Sequence, residues 1–203
     1  MSIGTAPRPL LSRQQEAQLG PRHRQILDQL EGVFLAEGFA ATTVAQLAAA
    51  VGCSRRTLYE LAPSKDALVL MVLDRFLHRV GRTARHAIDE AAPIADQLRS
   101  YFNGAIELQR LTAAFAEDLA DDPAARRLLD RHFRYVMAVL EGLIRRGIDD
   151  GVFRDVPAGV AAGVLAGSGL YFSQPAILHD VVLTRDQASA EIADLVLRSL
   201  LAA

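Results

Sequence analysis

Several hydrogen-bonding side chains follow one another in the short segment SRRTLYE. They are, in order, Ser54, Arg55, Arg56, Thr57 and Tyr59. An arginine can bond both acceptors on a guanine edge in the major groove, which discriminates against other bases by about 1–3 kcal/mol. Threonine can contact a base or a thymine methyl group, and a tyrosine hydroxyl can bond a phosphate. These residue types therefore predict contacts to double-stranded DNA.

The elements that must hold these side chains are predicted to form a helix–turn–helix. Thr43, with Gln46 three residues later, forms a capping box that starts the first helix. Gly52 permits a tight turn, Ser54 caps the second helix, and Pro63 keeps that helix short. A short second helix with polar groups at its N-terminal end is what this motif places in the major groove.

Two residues at predicted helix starts, Thr43 and Lys65, are expected to contact phosphates. The predicted DNA-binding residues are Thr43, Ser54, Arg55, Arg56, Thr57, Tyr59 and Lys65. Residues 1–65 hold seven Lys and Arg against five Asp and Glu, which favours an anionic partner. Spacing alone leaves one alternative, a small helical corner whose arginines are only solvated, because short patterns of this kind occur by chance.

The segment from Arg24 to Val69 resembles the N-terminal domain of TetR-family transcriptional regulators. The matching positions are Phe34, Gly38, Phe39, Thr42, Thr43, Leu47, Ala48, Val51, Gly52, Ser54, Thr57, Leu58, Tyr59, Ser64, Lys65, Asp66 and Leu68. Leu61 and Ala62 depart from this pattern, since the family often has an aromatic pair there. Arg56 stands where the family often has glycine.

The resemblance implies a homodimer whose two recognition helices enter successive major grooves of a near-palindromic operator. Such half-sites lie about 34–36 Å apart unless the DNA deforms. It also implies a C-terminal domain that binds a small-molecule effector and moves the fourth helix, which releases the DNA. The implied function is a sequence-specific transcriptional regulator that acts as a repressor.

The whole chain is predicted to be all-α, with about nine helices and no internal repeats. Beyond the helix–turn–helix, helices are expected at about 65–91, 93–110, 112–120, 123–149, 157–173 and 185–202. Residues 1–20 lack an apolar period and are predicted to be a flexible N-terminal arm. Residues 21–66 are predicted to be the DNA-binding domain, and residues 67–203 the effector-binding and dimerisation domain.

Aromatic and polar residues share apolar faces of the predicted C-terminal helices. A mostly apolar surface with a few polar groups is typical of a cavity for a small molecule. The predicted effector-binding residues are Tyr101, Phe102, Gln109, Phe115, His132, Phe133 and Met137. For Gln109 and His132 the alternative is a hydrogen-bonded residue of the core. Few cationic groups point inward, which favours an apolar or aromatic effector.

Three glycines recur every four residues in the segment AGVAAGVLAGSG. They form one smooth strip along a helix, where another backbone can approach closely, although each glycine costs about 1 kcal/mol relative to alanine. The predicted dimer interface comprises Gly159, Gly163, Gly167, Leu195, Val196 and Leu200. The alternative is close packing of this strip within a single chain.

Patterns typical of enzymes and metal sites do not occur in the sequence. The five histidines show no ligand spacing, and there is no phosphate loop, dinucleotide fingerprint or G-x-S-x-G frame. We therefore expect no catalysis, cofactor or metal. One cysteine and no signal or membrane-spanning pattern predict a cytoplasmic protein without a membrane partner. The remaining alternative is a helical ligand-binding or scaffold protein without DNA affinity.

Overall fold

The computed structural model describes residues 5–104, 118, 121–172 and 175–202. Over these residues the fold is all-α, as the sequence predicts, with ten helices. The helices are α1 (Arg13–Gln18), α2 (Pro21–Glu37), α3 (Val44–Ala50), α4 (Arg55–Leu61), α5 (Lys65–His86), α6 (Ile94–Gly104), α7 (Pro123–Asp149), α8 (Ala158–Tyr171), α9 (Pro175–Asp180) and α10 (Arg185–Leu200). None of the helices in these ranges is long and apolar enough to span a bilayer.

The described chain divides into two compact units. The first, called here the N-terminal unit, comprises residues 8–78 and the described part of 111–130. The second, called the C-terminal unit, comprises the described residues of 1–7, 79–110 and 131–203. The domain limits expected from the sequence stay a prediction, because this division follows packing and not function.

The N-terminal unit contains the predicted helix–turn–helix in α3 and α4. The buried apolar residues of α2, α3 and α4 include Ile26, Leu27, Leu30, Phe34, Leu47 and Leu58. Gly38 ends α2 with a φ of 75°, and Gly52 forms the turn between α3 and α4 with a φ of 60°. Both glycines adopt a backbone conformation that other residues rarely reach, so the two tight turns depend on them.

Part of the segment expected to be a flexible arm instead forms helix α1, which contacts α5 within the N-terminal unit. Ser12 caps α1. Glu16 of α1 pairs with Arg75, and the backbone N–H of Leu10 donates to buried Asp74 over 2.8 Å. The apolar pattern missed this helix because polar groups, not an apolar stripe, join it to α5.

The C-terminal unit has one core, to which α6, α7, α8 and α10 contribute. Its buried residues include Leu98, Tyr101, Val139, Leu140, Leu143, Ile144, Ala162, Leu165 and Leu197. Glycines allow two close approaches, since a Cβ on Gly147 would overlap the ring of Phe153 and one on Gly104 would lie 2.8 Å from Ala84 Cα.

Two features differ from the expected helix pattern. Helix α5 ends at His86 rather than near residue 91, because the Asp89 carboxylate accepts a bond from the Ala91 N–H over 3.0 Å and starts a turn. The six-residue helix α9 was not expected from the sequence. The helix expected at 112–120 lies outside the described residues, apart from residue 118.

Candidate nucleic-acid interface

Helix α4 presents its polar side chains by anchoring its two leucines. Ser54 caps the helix by accepting a bond from the Thr57 N–H over 3.1 Å, and the hydroxyls of these two residues lie 2.9 Å apart. Leu58 and Leu61 are buried. With these contacts fixed, the first turn and the outer face of α4 point their side chains to solvent.

Arg55, Arg56 and Tyr59 are exposed on this helix. The Nε of Arg56 lies 3.1 Å from a carboxylate oxygen of Glu60 one turn later. An ion pair between side chains this exposed contributes little in water, so it does not prevent Arg56 from contacting another anion. Within the described residues, Arg55 has no hydrogen-bond or ion-pair partner. Both guanidinium groups can therefore be offered to a base edge or a phosphate.

Thr43 begins α3, where its hydroxyl completes the predicted capping box. Its Oγ1 accepts from the Gln46 N–H over 3.3 Å and donates to the Gln46 side chain over 2.7 Å. A phosphate contact through this hydroxyl would replace the bond to Gln46. The cap confirms the predicted helix start, whereas the phosphate contact stays a prediction.

Lys65 lies at the start of α5, as expected, but its ammonium group already has a partner in the chain. Its Nζ donates to the backbone carbonyl of Ala40 over 2.9 Å. Because an ammonium group has three donors, this bond leaves two for other acceptors. In this structure Lys65 therefore supports the turn before α3, and its predicted phosphate contact stays untested.

Two residues that hold the helix–turn–helix have no signal in the sequence pattern. Arg22, in the first turn of α2, donates to the carbonyls of Gly52 and Val51 over 2.8 and 3.3 Å. Asp118 accepts bonds from backbone N–H groups in the turn between α2 and α3. Both contacts join residues distant in sequence, so spacing could not have revealed them.

The electrostatics of the turn between α3 and α4 keep its cysteine in the thiol form. Burial raises the pKa of the Cys53 thiol, and the nearby Arg22 guanidinium lowers it by less. A thiol with a raised pKa is a poor nucleophile at neutral pH.

Residues 26–72 match the family model described as bacterial regulatory proteins, tetR family. The match covers most of α2, all of α3 and α4, and the first part of α5. Residues 26–72 therefore form an N-terminal domain of the TetR type. A domain of this type is typical of bacterial proteins that regulate transcription by binding DNA.

Solved structures resemble this protein over most of its length. A tetR-family regulatory protein from Rhodococcus RHA1 is 20% identical, with a TM-score of 0.71 over 91% of this chain and 100% of that one. PfmR from Thermus thermophilus is 24% identical, with a TM-score of 0.66 over 87% and 98%. A protein from Saccharomonospora viridis, solved in complex with choline, is 17% identical, with a TM-score of 0.76 over 89% and 97%. At these identities the likeness shows the fold. No curated protein matches the chain.

The described residues of the C-terminal unit include five of the seven residues predicted to bind an effector. Tyr101, Phe102 and His132 are buried, and the Tyr101 hydroxyl has no hydrogen-bond partner among the described residues. Burial raises the pKa of Tyr101 far above its usual range, Tyr135 raises it further, and Arg85 lowers it. Tyr101 is therefore a neutral donor at physiological pH.

The other predicted effector residues are not buried in the C-terminal unit as Tyr101, Phe102 and His132 are, or lie outside the described residues. Phe133 was expected to face inward, but its side chain is 39% exposed. The buried stripe of α7 runs through His132 and Val136, and Phe133 is turned about 100° away from it. Met137 faces α8, since its Cε would lie 3.7 Å from a Cβ on Gly163. Gln109 and Phe115 lie outside the described residues.

Close packing among the described residues does not account for the glycine strip of α8. Against those residues, a Cβ on Gly159 or Gly163 would make ordinary contacts at 3.7 Å, and one on Gly167 would meet nothing within 4 Å. Leu195 on α10 is 67% exposed and Val196 is partly buried. Leu200 is only 3% exposed and lies in the core of its own chain, so its place at a dimer interface stays a prediction that this burial does not favour.

Proposed function

We propose that this protein reads a near-palindromic DNA operator with α4 and represses transcription until a small molecule releases it. The observation that carries the proposal is the arrangement of α4. Leu58 and Leu61 anchor the helix, while Arg55, Arg56 and Tyr59 project into solvent from its free side. Arginine side chains on the first turn of a short, exposed helix suit the edge of guanine in the major groove.

The proposal requires a homodimer, because two copies of α4 must reach successive major grooves. The exposed face of α8 supports such a dimer, since it is apolar and contains the glycine strip. Its exposed side chains are Val160, Val164, Leu170 and Tyr171. Leu195 of α10 is a further exposed apolar residue in the same unit. An apolar face of this extent on a solvent-facing surface is typical of a protein–protein interface.

The proposal also includes an effector site in the C-terminal unit. Tyr101 supports it, because its buried hydroxyl can donate a hydrogen bond to a ligand, and Phe102 and His132 are buried in the same unit. The Saccharomonospora viridis protein of the same fold was solved with choline bound. Release of DNA follows if the effector binds better to the conformation that cannot span two half-sites.

Selection of bound duplexes from a random DNA library tests the proposal. The expected product is an inverted repeat whose half-sites are about 10–10.5 base pairs apart, or a multiple of that spacing. Its affinity should fall steeply with salt, because several phosphate contacts release counterions. A variant that combines Arg55→Ala and Arg56→Ala should not enrich the same repeat. If the wild-type protein enriches no sequence at low salt, operator reading by α4 is excluded.

The operator then provides the test for an effector. Small molecules are added to the wild-type complex, and loss of operator binding identifies candidates. The Tyr101→Phe variant serves as the matched control, because it removes only the buried hydroxyl. A compound that releases the wild type and is bound at least several-fold more weakly by this variant supports the predicted site. Equal release of both proteins would contradict a role for the Tyr101 hydroxyl.

A further inference from the structure

A carboxylate from outside the helix–turn–helix holds the turn that leads into it. Asp118 accepts a hydrogen bond from the Phe39 N–H and a second, 2.8 Å long, from the Ala40 N–H. Asp118 is 78 residues from Ala40 in sequence, yet both belong to the N-terminal unit. Hydrogen bonds to a charged acceptor are stronger than neutral ones, so this contact can fix the local backbone.

The same turn is held from a second direction by a positive charge. The Nζ of Lys65 donates to the carbonyl of Ala40 over 2.9 Å. The N–H and the C=O of Ala40 are therefore bound by side chains of opposite charge, one from the start of α5 and one from Asp118. These contacts supply partners for backbone groups that neither α2 nor α3 can pair.

The conformation of this turn determines where α3 begins. Gly38 ends α2 with a positive φ, and the ring of Phe39 packs edge-on against Phe34, with 6.0 Å between centroids. Three residues after Ala40, Thr43 caps α3. Because α3 and α4 are joined by a single tight turn, a shift at Ala40 changes the direction in which α4 presents its arginines.

We propose that Asp118 is a positioning residue for DNA reading: by binding the N–H groups of Phe39 and Ala40, it holds α3 and α4 in the orientation that fits the operator. This inference rests on the proposed function. Asp118 does not contact the bases or the phosphates in this account. It acts only through the turn.

If Asp118 acted only through its charge, removal of that charge should strengthen DNA binding. DNA is a dense array of negative charge, so loss of a carboxylate from a DNA-binding unit should strengthen binding to any duplex. A positioning role instead predicts weaker binding to the operator and little change on unrelated DNA. The two explanations therefore differ in sign, which makes the substitution informative.

The experiment compares Asp118→Asn and Asp118→Ala with wild type in the full-length protein. The asparagine variant has the same size but lacks the charge. It is expected to fold even if the alanine variant does not, so the test does not depend on the alanine variant. Asp121→Asn is the matched control, because it removes an exposed carboxylate from the same short stretch. Dissociation constants are measured at one salt concentration for the selected operator and for a scrambled duplex of equal length.

We expect operator affinity to fall about fivefold for Asp118→Asn and about tenfold for Asp118→Ala, with scrambled-duplex affinity changed less than twofold. Asp121→Asn should resemble wild type on both duplexes. Amide hydrogen exchange at Phe39 and Ala40 should become faster in the two Asp118 variants, while exchange in the C-terminal unit stays the same. This local readout separates positioning from general loss of stability.

Two results would overturn the inference. One is operator affinity that is unchanged or stronger in Asp118→Asn, as electrostatics alone predicts. The other is an equal loss of affinity for both duplexes together with faster exchange throughout the chain, which would indicate general destabilisation. Wild-type protein is the reference in the same experiment: if it does not prefer the operator, the proposed function fails, whereas normal wild-type preference with an unaffected variant rejects only the role of Asp118.

Discussion

Helices α4 and α8 each expose one face to solvent, but the two faces differ in chemistry. The face of α4 presents Arg55, Arg56 and Tyr59, whose polar groups water can solvate. The face of α8 presents valine and leucine side chains beside three glycines, with Val164 54% exposed. The first face is stable without a partner. The second leaves apolar surface in water. Covering that surface with a partner would gain a free energy of about 25 cal/mol for each Å² buried.

This difference suggests two kinds of association. A solvated cationic face can bind and release an anionic partner as conditions change, and its affinity depends on salt. An exposed apolar face gains from being covered at all times, which is typical of a lasting subunit interface. Under the proposed function, the molecule combines a reversible contact with DNA and a durable contact with its own copy. Substitutions on α8 should therefore change dimerisation, and substitutions on α4 should change DNA binding.

The largest effect is expected from a charge placed on the apolar face. Val164→Asp should raise the dissociation constant of the homodimer by roughly a hundredfold or more, because an unpaired carboxylate would be buried there. Sedimentation analysis over a concentration series measures this change. Val152→Asp is the control, since Val152 is also exposed but lies in the turn between α7 and α8. A variant that remains as dimeric as wild type would show that α8 is not the interface.

The next largest effect is expected on α4. Arg55→Ala should weaken operator binding roughly tenfold to hundredfold, the range expected for losing a bidentate contact to guanine. Arg56→Ala should also weaken it. Neither substitution should change dimerisation. Arg127→Ala, an exposed arginine of α7 in the N-terminal unit, is the matched control for the loss of one positive charge. If Arg127→Ala costs as much affinity as Arg55→Ala, the effect reflects net charge and not base reading.

A smaller effect on stability is expected at Tyr101. Its hydroxyl is buried without a described partner, so Tyr101→Phe should leave the free energy of unfolding unchanged or raise it by about 1 kcal/mol at pH 7. The raised pKa of Tyr101 means that the folded state keeps the phenol proton more tightly than the unfolded chain does. Its contribution to stability is therefore present below about pH 10 and is lost as the pH rises further.

Denaturant titrations at pH 7 and above pH 10 test both statements about Tyr101. The decline at high pH should be less steep in Tyr101→Phe than in wild type. Tyr135→Phe provides a comparison, because burial also raises the pKa of Tyr135 but that side chain is only partly buried. Destabilisation of Tyr101→Phe by much more than 1 kcal/mol at pH 7 would mean that the hydroxyl has a partner within the protein.

The smallest effect is expected at the turn between α9 and α10. Val182 has a φ of 56°, and a β-branched residue is strained in this conformation. It is 87% exposed, so little burial is lost when its side chain is removed. Val182→Gly should raise the unfolding free energy by about 1 kcal/mol, seen as a melting temperature a few degrees higher. Val181→Gly, at the preceding residue, should not stabilise the protein.

Local interactions account for what the sequence could predict. The cap of α3 by Thr43, the cap of α4 by Ser54 and the turn at Gly52 each depend on residues within a few positions of one another. The start of α7 after Asp122 follows the same rule, since its carboxylate accepts bonds from the Ala124 and Ala125 N–H groups over 2.7 and 3.1 Å. Helix propensity and capping depend on residues close together in sequence, so a single sequence is enough to predict these helix starts and this turn.

Long-range contacts account for what the sequence could not predict. The bonds of Arg22 to the turn before α4 and of Asp118 to the turn before α3 join distant segments. The inward or outward direction of Phe133 and Leu200 depends on which neighbours pack beside α7 and α10. A shift of one residue on a helix rotates a side chain by about 100°, so apolar composition alone did not decide these positions.

Base-by-base discrimination is the most direct test of whether Arg55 of α4 reads the bases of the operator. Affinities of wild type and Arg55→Ala are measured for the selected operator and for operators with each base pair of a half-site changed in turn. The account predicts that wild type discriminates at every contacted position, and that Arg55→Ala loses discrimination at one guanine-containing position, symmetrically in the two half-sites. A loss of affinity that is the same for all these operators would show that Arg55 does not read the bases and would contradict the account.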